Sequence, residues 1–209
     1  MSTIKKTNKL AICGCSFASD FTHHHEGKDD LENKLLWNHR IAEYLDFDEY
    51  KIFAIPGSSL INIAKQVKEA VDNRFTHYII SATSPNRVDT YESGSHEFYN
   101  ASDKKVKDYI IKYFNEEDNL LKSDLIYRGI KNMLIDKKVF IFNLDFAGYE
   151  RKHKFPLDKN HIGYTWGGST VVSQFPQYSG ELSPNHLNIQ GQDYMFNELK
   201  KFLSEWKVK

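Results

Sequence analysis

A three-layer α/β sandwich around a parallel sheet is the fold class that the sequence predicts, and two observations predict it. Short apolar runs alternate along the chain with longer segments whose apolar residues recur at helical spacing. Glycine, proline or serine closes each of the first three runs, as expected where a buried strand ends. The resulting order is β-α-β-α-β-α-β, a long loop and a last helix, which indicates a flavodoxin-like α/β/α architecture.

Four apolar runs are predicted as strands of a central parallel sheet. Their sequence is almost continuously apolar, as a strand covered by helices on both faces requires. They are residues 10–13, 50–55, 76–82 and 139–144, and a further short strand is predicted at residues 170–172.

Apolar residues spaced three and four apart predict amphipathic helices between these strands. The stripes fall in residues 36–45, 60–71, 103–113, 121–134 and 195–206. In the fourth stripe we expect Leu121 and Leu125 to face the core together with Tyr127, Ile130 and Leu134.

Length and composition favour one folded domain over residues 1–209, because 40% apolar and 27% charged residues are ordinary globular values. Residues 1–8 are expected to form a flexible N-terminus. Residues 146–185 are rich in Gly, Pro, Ser and aromatic side chains and are predicted as a long loop. Its aromatic side chains either pack on the sheet or form one wall of a sugar or acyl pocket.

Charge and apolar-run length exclude several classes of partner. Lys plus Arg and Asp plus Glu both total 28, so no basic excess is present for nucleic acid. No apolar run has the length of a membrane span or a signal peptide, so no membrane partner is expected. Cys13 and Cys15 are separated by one residue at a strand end, where an intrachain disulfide is geometrically poor, and free thiols favour a reducing, cytoplasmic compartment. The Lys-, Asn-, Ile- and Tyr-rich usage is typical of AT-rich genomes, viral ones among them.

Ligand sites in parallel sheets lie beyond the carboxyl ends of the strands, and the first strand ends in Gly14-Cys15-Ser16-Phe17. A glycine there permits a tight turn that projects Ser16 from the sheet edge. The Ser16 N–H would then be unpaired and able to donate to a developing oxyanion. The alternative is an ordinary turn with a capping serine.

Two further motifs point to the same edge. Pro56-Gly57-Ser58-Ser59 follows the second strand, where Gly57 could present its N–H to the same point, or where a serine could simply cap the next helix. His186, in the segment Asn185-His186-Leu187-Asn188, precedes the last helix. A histidine held at a helix entrance is well placed as general base toward a serine on the first strand.

Together these three segments, in this order, resemble the conserved blocks of the SGNH/GDSL hydrolases over about residues 9–206. The resemblance implies a serine esterase in which Ser16 is the nucleophile and His186 the general base. It also implies an oxyanion hole formed by the N–H groups of Ser16 and Gly57. This chemistry requires neither a metal nor an organic cofactor.

The chain departs from the family pattern at two places. Ser84 stands where the third block usually has the asparagine of the oxyanion hole, and Asn86 or Arg87 could substitute for it. The aspartate that usually precedes the histidine is replaced by Ser183 and Pro184. Two functions therefore stay open. One is an esterase or deacylase acting on a small ester, for example an O-acetylated glycan. The other is a non-catalytic member of the fold that binds a glycan or a protein partner, or that is a structural component.

Two other groupings are given a structural interpretation. The segment His23-His24-His25-Glu26 lacks the spacing of a metal site, because consecutive side chains cannot all reach one ion, so no metal is predicted. Cys15 stands beside Ser16, and we expect it to pack in the core rather than to act as a nucleophile.

Overall fold

The computed structural model describes residues 7–20, 33–83, 87–90, 94–97, 108, 112, 115–142, 161–163, 175, 177 and 187–207. Within these ranges the strands are β1 (Lys9–Gly14), β2 (Glu49–Ile52), β3 (His77–Ser81), β4 (Arg87–Thr90), β5 (Gly94–Glu97), β6 (Lys138–Phe142) and β7 (His161–Gly163). The helices are α1 (Trp37–Leu45), α2 (Leu60–Asp72), α3 (Glu116–Met133) and α4 (Ile189–Leu203).

Five strands form one parallel sheet in the order β2-β1-β3-β6-β7. The first strand of the chain lies inside the sheet, so its carboxyl end has a neighbour on either side. Strands β4 and β5 form a separate antiparallel pair. The parallel order confirms the predicted α/β fold class with its central sheet.

Helices cover both faces of the sheet, and the core is correspondingly divided in two. One half packs α1 and α4 against the sheet, with Trp37 meeting Phe142 edge to face at 5.4 Å. The other half packs α2 and α3 against the opposite face, around Tyr78 and Ile80. Alternation along each strand produces this division, because successive side chains point to opposite faces.

The structure differs from the sequence prediction in several elements. Leu121 and Leu125 are exposed on α3, so their expected burial is wrong, whereas Tyr127, Ile130 and Leu134 are buried. The second strand ends at Ile52, before the predicted residue 55. The polar pair β4–β5 and the short strand β7 were not predicted. The expected strand at 170–172 and most of the helical stripe at 103–113 lie outside the described residues.

No helix within the described ranges has the length and apolarity needed to cross a membrane.

Strand β1 ends at a point where only glycine fits. Gly14 has a φ of +151° and stands opposite Ser81 of β3. A Cβ at this position would lie 2.7 Å from the Ser81 Cβ and 2.8 Å from its carbonyl oxygen. Because Gly14 has no side chain, the end of β1 can approach β3 closely. Its backbone can also take a positive φ that other residues rarely adopt.

We expect Gly14→Ala to lower the free energy of unfolding by about 2–4 kcal/mol, through the clash with Ser81 and the unfavourable φ. Gly129 of α3 is the matched control, because a Cβ there meets no atom within 4 Å. Gly129→Ala should raise stability by about 0.5–1 kcal/mol through helix propensity. Urea unfolding of both variants measures the difference, and equal effects would contradict the close approach at Gly14.

The buried thiol of Cys13 makes the stability of the fold depend on alkaline pH. Burial, and then the Glu69 carboxylate, raise the pKa of the Cys13 thiol far above its ordinary value. Above about pH 9 the unfolded chain ionises this thiol while the folded chain keeps it protonated, so stability falls as pH rises. The unfolding free energy of wild type should fall relative to that of Cys13→Ala by about 1 kcal/mol between pH 9 and 10. A difference independent of pH there would contradict the buried thiol.

Candidate active site

The turn after β1 places Ser16 at the carboxyl edge of the sheet. The Ala18 N–H donates to the Cys15 carbonyl oxygen at 2.9 Å, and the Ser19 hydroxyl donates to the Ser16 carbonyl oxygen at 3.2 Å. Ser16 is half-buried. Within the described ranges neither its Oγ nor its backbone N–H has a hydrogen-bond partner. Among the described residues, a hydroxyl and an N–H of one residue are thus both unpaired.

A second turn at the same edge is built on Gly57. The Ser58 N–H donates to the Ile55 carbonyl oxygen at 3.2 Å, with Pro56 and Gly57 between them and a Gly57 φ of +74°. Proline followed by a glycine with positive φ is typical of a type II turn. Ser59 then caps α2, where its Oγ accepts from the Asn62 N–H at 3.3 Å. The capping role considered for the serines is therefore confirmed for Ser59, while the Gly57 N–H has no partner in the described part of the chain.

The two turns are joined directly. The Ile55 N–H donates to the Gly14 carbonyl oxygen at 3.2 Å, which extends the β1–β2 pairing past the end of β2. The residues that precede Ser16 and Gly57 are thereby held against each other. The structure thus brings together the two predicted oxyanion segments.

Of the three residues expected as a further donor, Arg87 is the one within the described ranges. Its Nη1 donates to the Ser58 carbonyl oxygen at 3.1 Å from the start of β4. Arg87 is thus in contact with the Gly57 turn. Ser84 and Asn86 lie outside the described residues.

His186 also lies outside the described residues, but the two residues that follow it are described. Leu187 is buried in the core half formed with α1 and α4. Asn188 caps α4, with its Oδ1 accepting from the Gly191 N–H at 2.9 Å and its Nδ2 donating to the Gln177 carbonyl oxygen at 2.7 Å. The chain that follows His186 is therefore fixed at the entrance of α4, as the sequence predicted for this helix.

Ser16 lines a small cleft of about 10 Å³, which has room for roughly one water molecule. The cleft lies between the Ser16 turn and the first turns of α1 and α4, next to Leu187. Apolar and amide side chains share its lining, which consists of Ser16, Phe17, Ser19, Leu36, Trp37, Asn38, Leu187 and Gln192.

Buried polar groups of α1 and α4 hold the Ser16 turn against the wall of this cleft. The Trp37 indole Nε1 donates to the Phe17 carbonyl oxygen at 2.9 Å, and Asn38 Nδ2 donates to the Ala18 carbonyl oxygen at 3.0 Å. The Trp37 N–H donates to Gln192 Oε1 at 3.1 Å, which connects α1 to α4. These three side chains were not singled out from the sequence. Amides inside apolar helical stripes were the available signal, because a buried amide has to find partners.

The far end of the turn is held by a second contact with α1. Asp20 Oδ1 lies 2.7 Å from His39 Nε2, and His39 Nδ1 lies 3.2 Å from the Tyr50 hydroxyl. Burial, followed by the charges of Glu43 and Asp20, raises the pKa of Tyr50. Both nitrogens of His39 are therefore occupied, so this histidine is not poised as a base toward Ser16.

Two other groupings were considered from the sequence, Cys15 and the histidine-rich segment 23–26. Cys15 is fully buried, which confirms its packing role. The histidine-rich segment 23–26 lies outside the described residues. In the ranges that are described, no group of three His, Cys, Asp or Glu side chains could hold a metal ion.

Comparison with solved structures identifies the fold. A protein assigned to the G-D-S-L lipolytic family from Desulfitobacterium hafniense matches with a TM-score of 0.57 at 10% identity, over 93% of this chain and 98% of that one. An acetyl xylan esterase from Butyrivibrio proteoclasticus matches with a TM-score of 0.55 at 11% identity, over 100% of this chain and 67% of the esterase. A family two carbohydrate esterase from Clostridium thermocellum, in complex with cellohexaose, matches with a TM-score of 0.51 at 10% identity, over 99% and 67%.

No family model matches the sequence, and no curated protein is similar to it in sequence. The similarity is therefore one of three-dimensional structure, and at sequence identities of 10–11% it shows the fold alone. It agrees with the motif order at the strand ends and with the parallel sheet. The chain has the SGNH/GDSL hydrolase-like fold that its motifs predicted.

Proposed function

We propose that this protein is a serine esterase or deacylase that hydrolyses a small ester, with an O-acetylated glycan as the leading substrate class. One observation carries the proposal. The Ser16 hydroxyl and the N–H groups of Ser16 and Gly57 lack partners within the described ranges, and they lie on two turns joined through Gly14 and Ile55. Unpaired donors beside an unpaired hydroxyl are what attack on an ester carbonyl requires.

In the proposed reaction Ser16 Oγ attacks the ester carbonyl carbon while His186 accepts its proton. The carbonyl oxygen becomes an oxyanion, which the N–H groups of Ser16 and Gly57 stabilise, with Ser84, Asn86 or Arg87 as a third donor. His186 returns the proton to the leaving alcohol as the carbon–oxygen bond breaks. Water activated by His186 then attacks the acyl-enzyme and releases the acid and Ser16.

Because Ser183 and Pro184 occupy the positions where the family has its aspartate, we propose that Ser16 and His186 act as a dyad. A histidine without a carboxylate loses orientation and stabilisation of its charged form, so a lower turnover is expected than for a complete triad. The acetyl xylan esterase and the cellohexaose-bound carbohydrate esterase among the structural neighbours support a carbohydrate ester. The buried free thiols of Cys13 and Cys15 support a reducing, cytoplasmic location.

Fluorophosphonate labelling read by intact mass tests the proposal. Wild type should gain one adduct, and Ser16→Ala should gain none because the nucleophile is absent. His186→Ala should label at least about a hundredfold more slowly, since the base that activates the serine is lost. Ser123→Ala is the matched control: this buried serine donates to the Asn119 carbonyl oxygen in α3, away from the turn, and its loss should leave labelling unchanged.

The absence of an adduct on folded wild type would contradict catalysis and favour the non-catalytic alternative, a glycan- or protein-binding member of the fold. Labelling that persists in Ser16→Ala would place the nucleophile elsewhere.

Thiol titration of Ser16→Cys tests whether position 16 is open to solvent and ligand. The two native cysteines are both fully buried, so folded wild type should react slowly with 5,5′-dithiobis(2-nitrobenzoate). The variant should show one rapid equivalent when folded, because its new thiol faces the cleft. Denatured wild type provides the control, with both thiols reacting. A folded variant that reacts no faster than wild type would show that the Ser16 side chain is closed off.

A further inference from the structure

Gln66 is a polar residue on the apolar face of α2. It is 5% exposed and lies on the same stripe as Ile63, Val67 and Ala70, all of which are fully buried in the core. Burying an amide in such surroundings is unfavourable unless its hydrogen-bonding groups are paired. The partners of Gln66 therefore indicate why a glutamine stands there.

Those partners lie on both turns of the candidate active site. Gln66 Oε1 accepts from the Gly14 N–H at 2.7 Å, and its Nε2 donates to the Gly14 carbonyl oxygen at 3.2 Å. The same Nε2 donates to Ser58 Oγ at 3.0 Å. One side chain thus binds both backbone groups of the residue that ends β1, and also the residue directly after Gly57.

Further hydrogen bonds close this arrangement into a ring. Ser58 Oγ donates to the Ile55 carbonyl oxygen at 2.7 Å, and the Ile55 N–H donates back to Gly14. Arg87 holds the Ser58 carbonyl oxygen from outside the ring. Every residue of the ring is thus fixed by at least two contacts, and Gln66 is the member that belongs to neither turn.

We propose that Gln66 is a positioning residue for the oxyanion hole, which it builds by setting the separation of the two turns that carry the Ser16 and Gly57 N–H groups. The inference rests on the proposed function. Two donors stabilise one oxyanion only if both lie about 2.7–3.1 Å from the same point. A displacement of one turn by about 1 Å therefore weakens catalysis strongly, even though neither donor is removed.

A substitution of Gln66 by methionine distinguishes the positioning role from a role in packing alone. A methionine has a similar length and shape and fills an apolar stripe well. Gln66→Met would therefore retain the packing of α2 while losing all three bonds of the amide. If Gln66 served only the core, this substitution would change the catalytic rate little.

The experiment compares Gln66→Met with Val67→Ala. Val67 is the next residue of α2 and is fully buried, so its truncation destabilises the fold without touching either turn. With 4-nitrophenyl acetate we expect Gln66→Met to lower kcat by about tenfold to a hundredfold, with KM changed less than about threefold. Fluorophosphonate labelling should slow by the same factor. Val67→Ala should keep kcat within about twofold at a temperature where it is folded. Ser58→Ala removes two bonds of the ring but leaves both bonds from Gln66 to Gly14, so its kcat should be intermediate.

Amide resonances provide a readout that does not depend on activity. In ¹H–¹⁵N spectra the Gly14, Ser16 and Gly57 signals should shift in Gln66→Met and stay in place in Val67→Ala. If wild type shows neither esterase activity nor a fluorophosphonate adduct, the proposed function is overturned. The spectra would still decide whether Gln66 couples the two turns. Unshifted Ser16 and Gly57 signals, or a kcat loss no larger than that of Val67→Ala, would overturn the positioning role.

Discussion

The close approach of β1 to β3 at Gly14 is the constraint on which the rest of the site depends. Because Gly14 has no side chain, its backbone lies against Ser81, where a Cβ would meet an atom at 2.7 Å. Its N–H and carbonyl oxygen are both bound by Gln66, and the carbonyl oxygen also accepts from the Ile55 N–H. The residue that ends the strand thereby becomes the attachment point for the two turns that follow.

Each turn of the site is anchored by a different layer of the sandwich. The Ser16 turn is held by Trp37 and Asn38 of α1, and Ala18 packs in the core half formed with α1 and α4. The Gly57 turn leads into α2, whose Leu60 packs in the opposite half. The sheet separates these two layers everywhere except at its edge.

Much of the fold could be predicted from the sequence because the apolar patterns of buried strands are strong. The sheet, the helices on both faces and the place of the last helix after residue 188 follow from periodicity and from strand-ending residues such as Gly14. The exposed Leu121 and Leu125 show the limit of that reasoning, since helical spacing marks a face without telling which face meets the core. Strands β4, β5 and β7 were not predicted because they lack an apolar run.

The site was predictable only in part, for a related reason. Ser16 and Gly57 stand at strand ends, where position in the chain already indicates a role. Gln66 and Gln192 interrupt apolar stripes, and a sequence does not reveal whether such a glutamine faces solvent or binds a backbone group inside the core. Contacts between residues 52 positions apart, as for Gln66 and Gly14, depend on how the whole sheet is assembled.

The division of the candidate site between two layers affects how the proposed oxyanion donors are aligned. The Ser16 N–H is fixed through the α1 and α4 side and the Gly57 N–H through α2, so repacking either core half would move one donor relative to the other. Rigid alignment therefore requires a bond that crosses from one layer to the other at the sheet edge. The bonds from Gln66 and Ile55 to Gly14 are such crossings, because Gly14 belongs to the strand that both layers share. Burying the Gln66 amide in an apolar core is unfavourable by itself, and its three hydrogen bonds offset that cost. The same bonds join two turns that the two core halves would otherwise position independently.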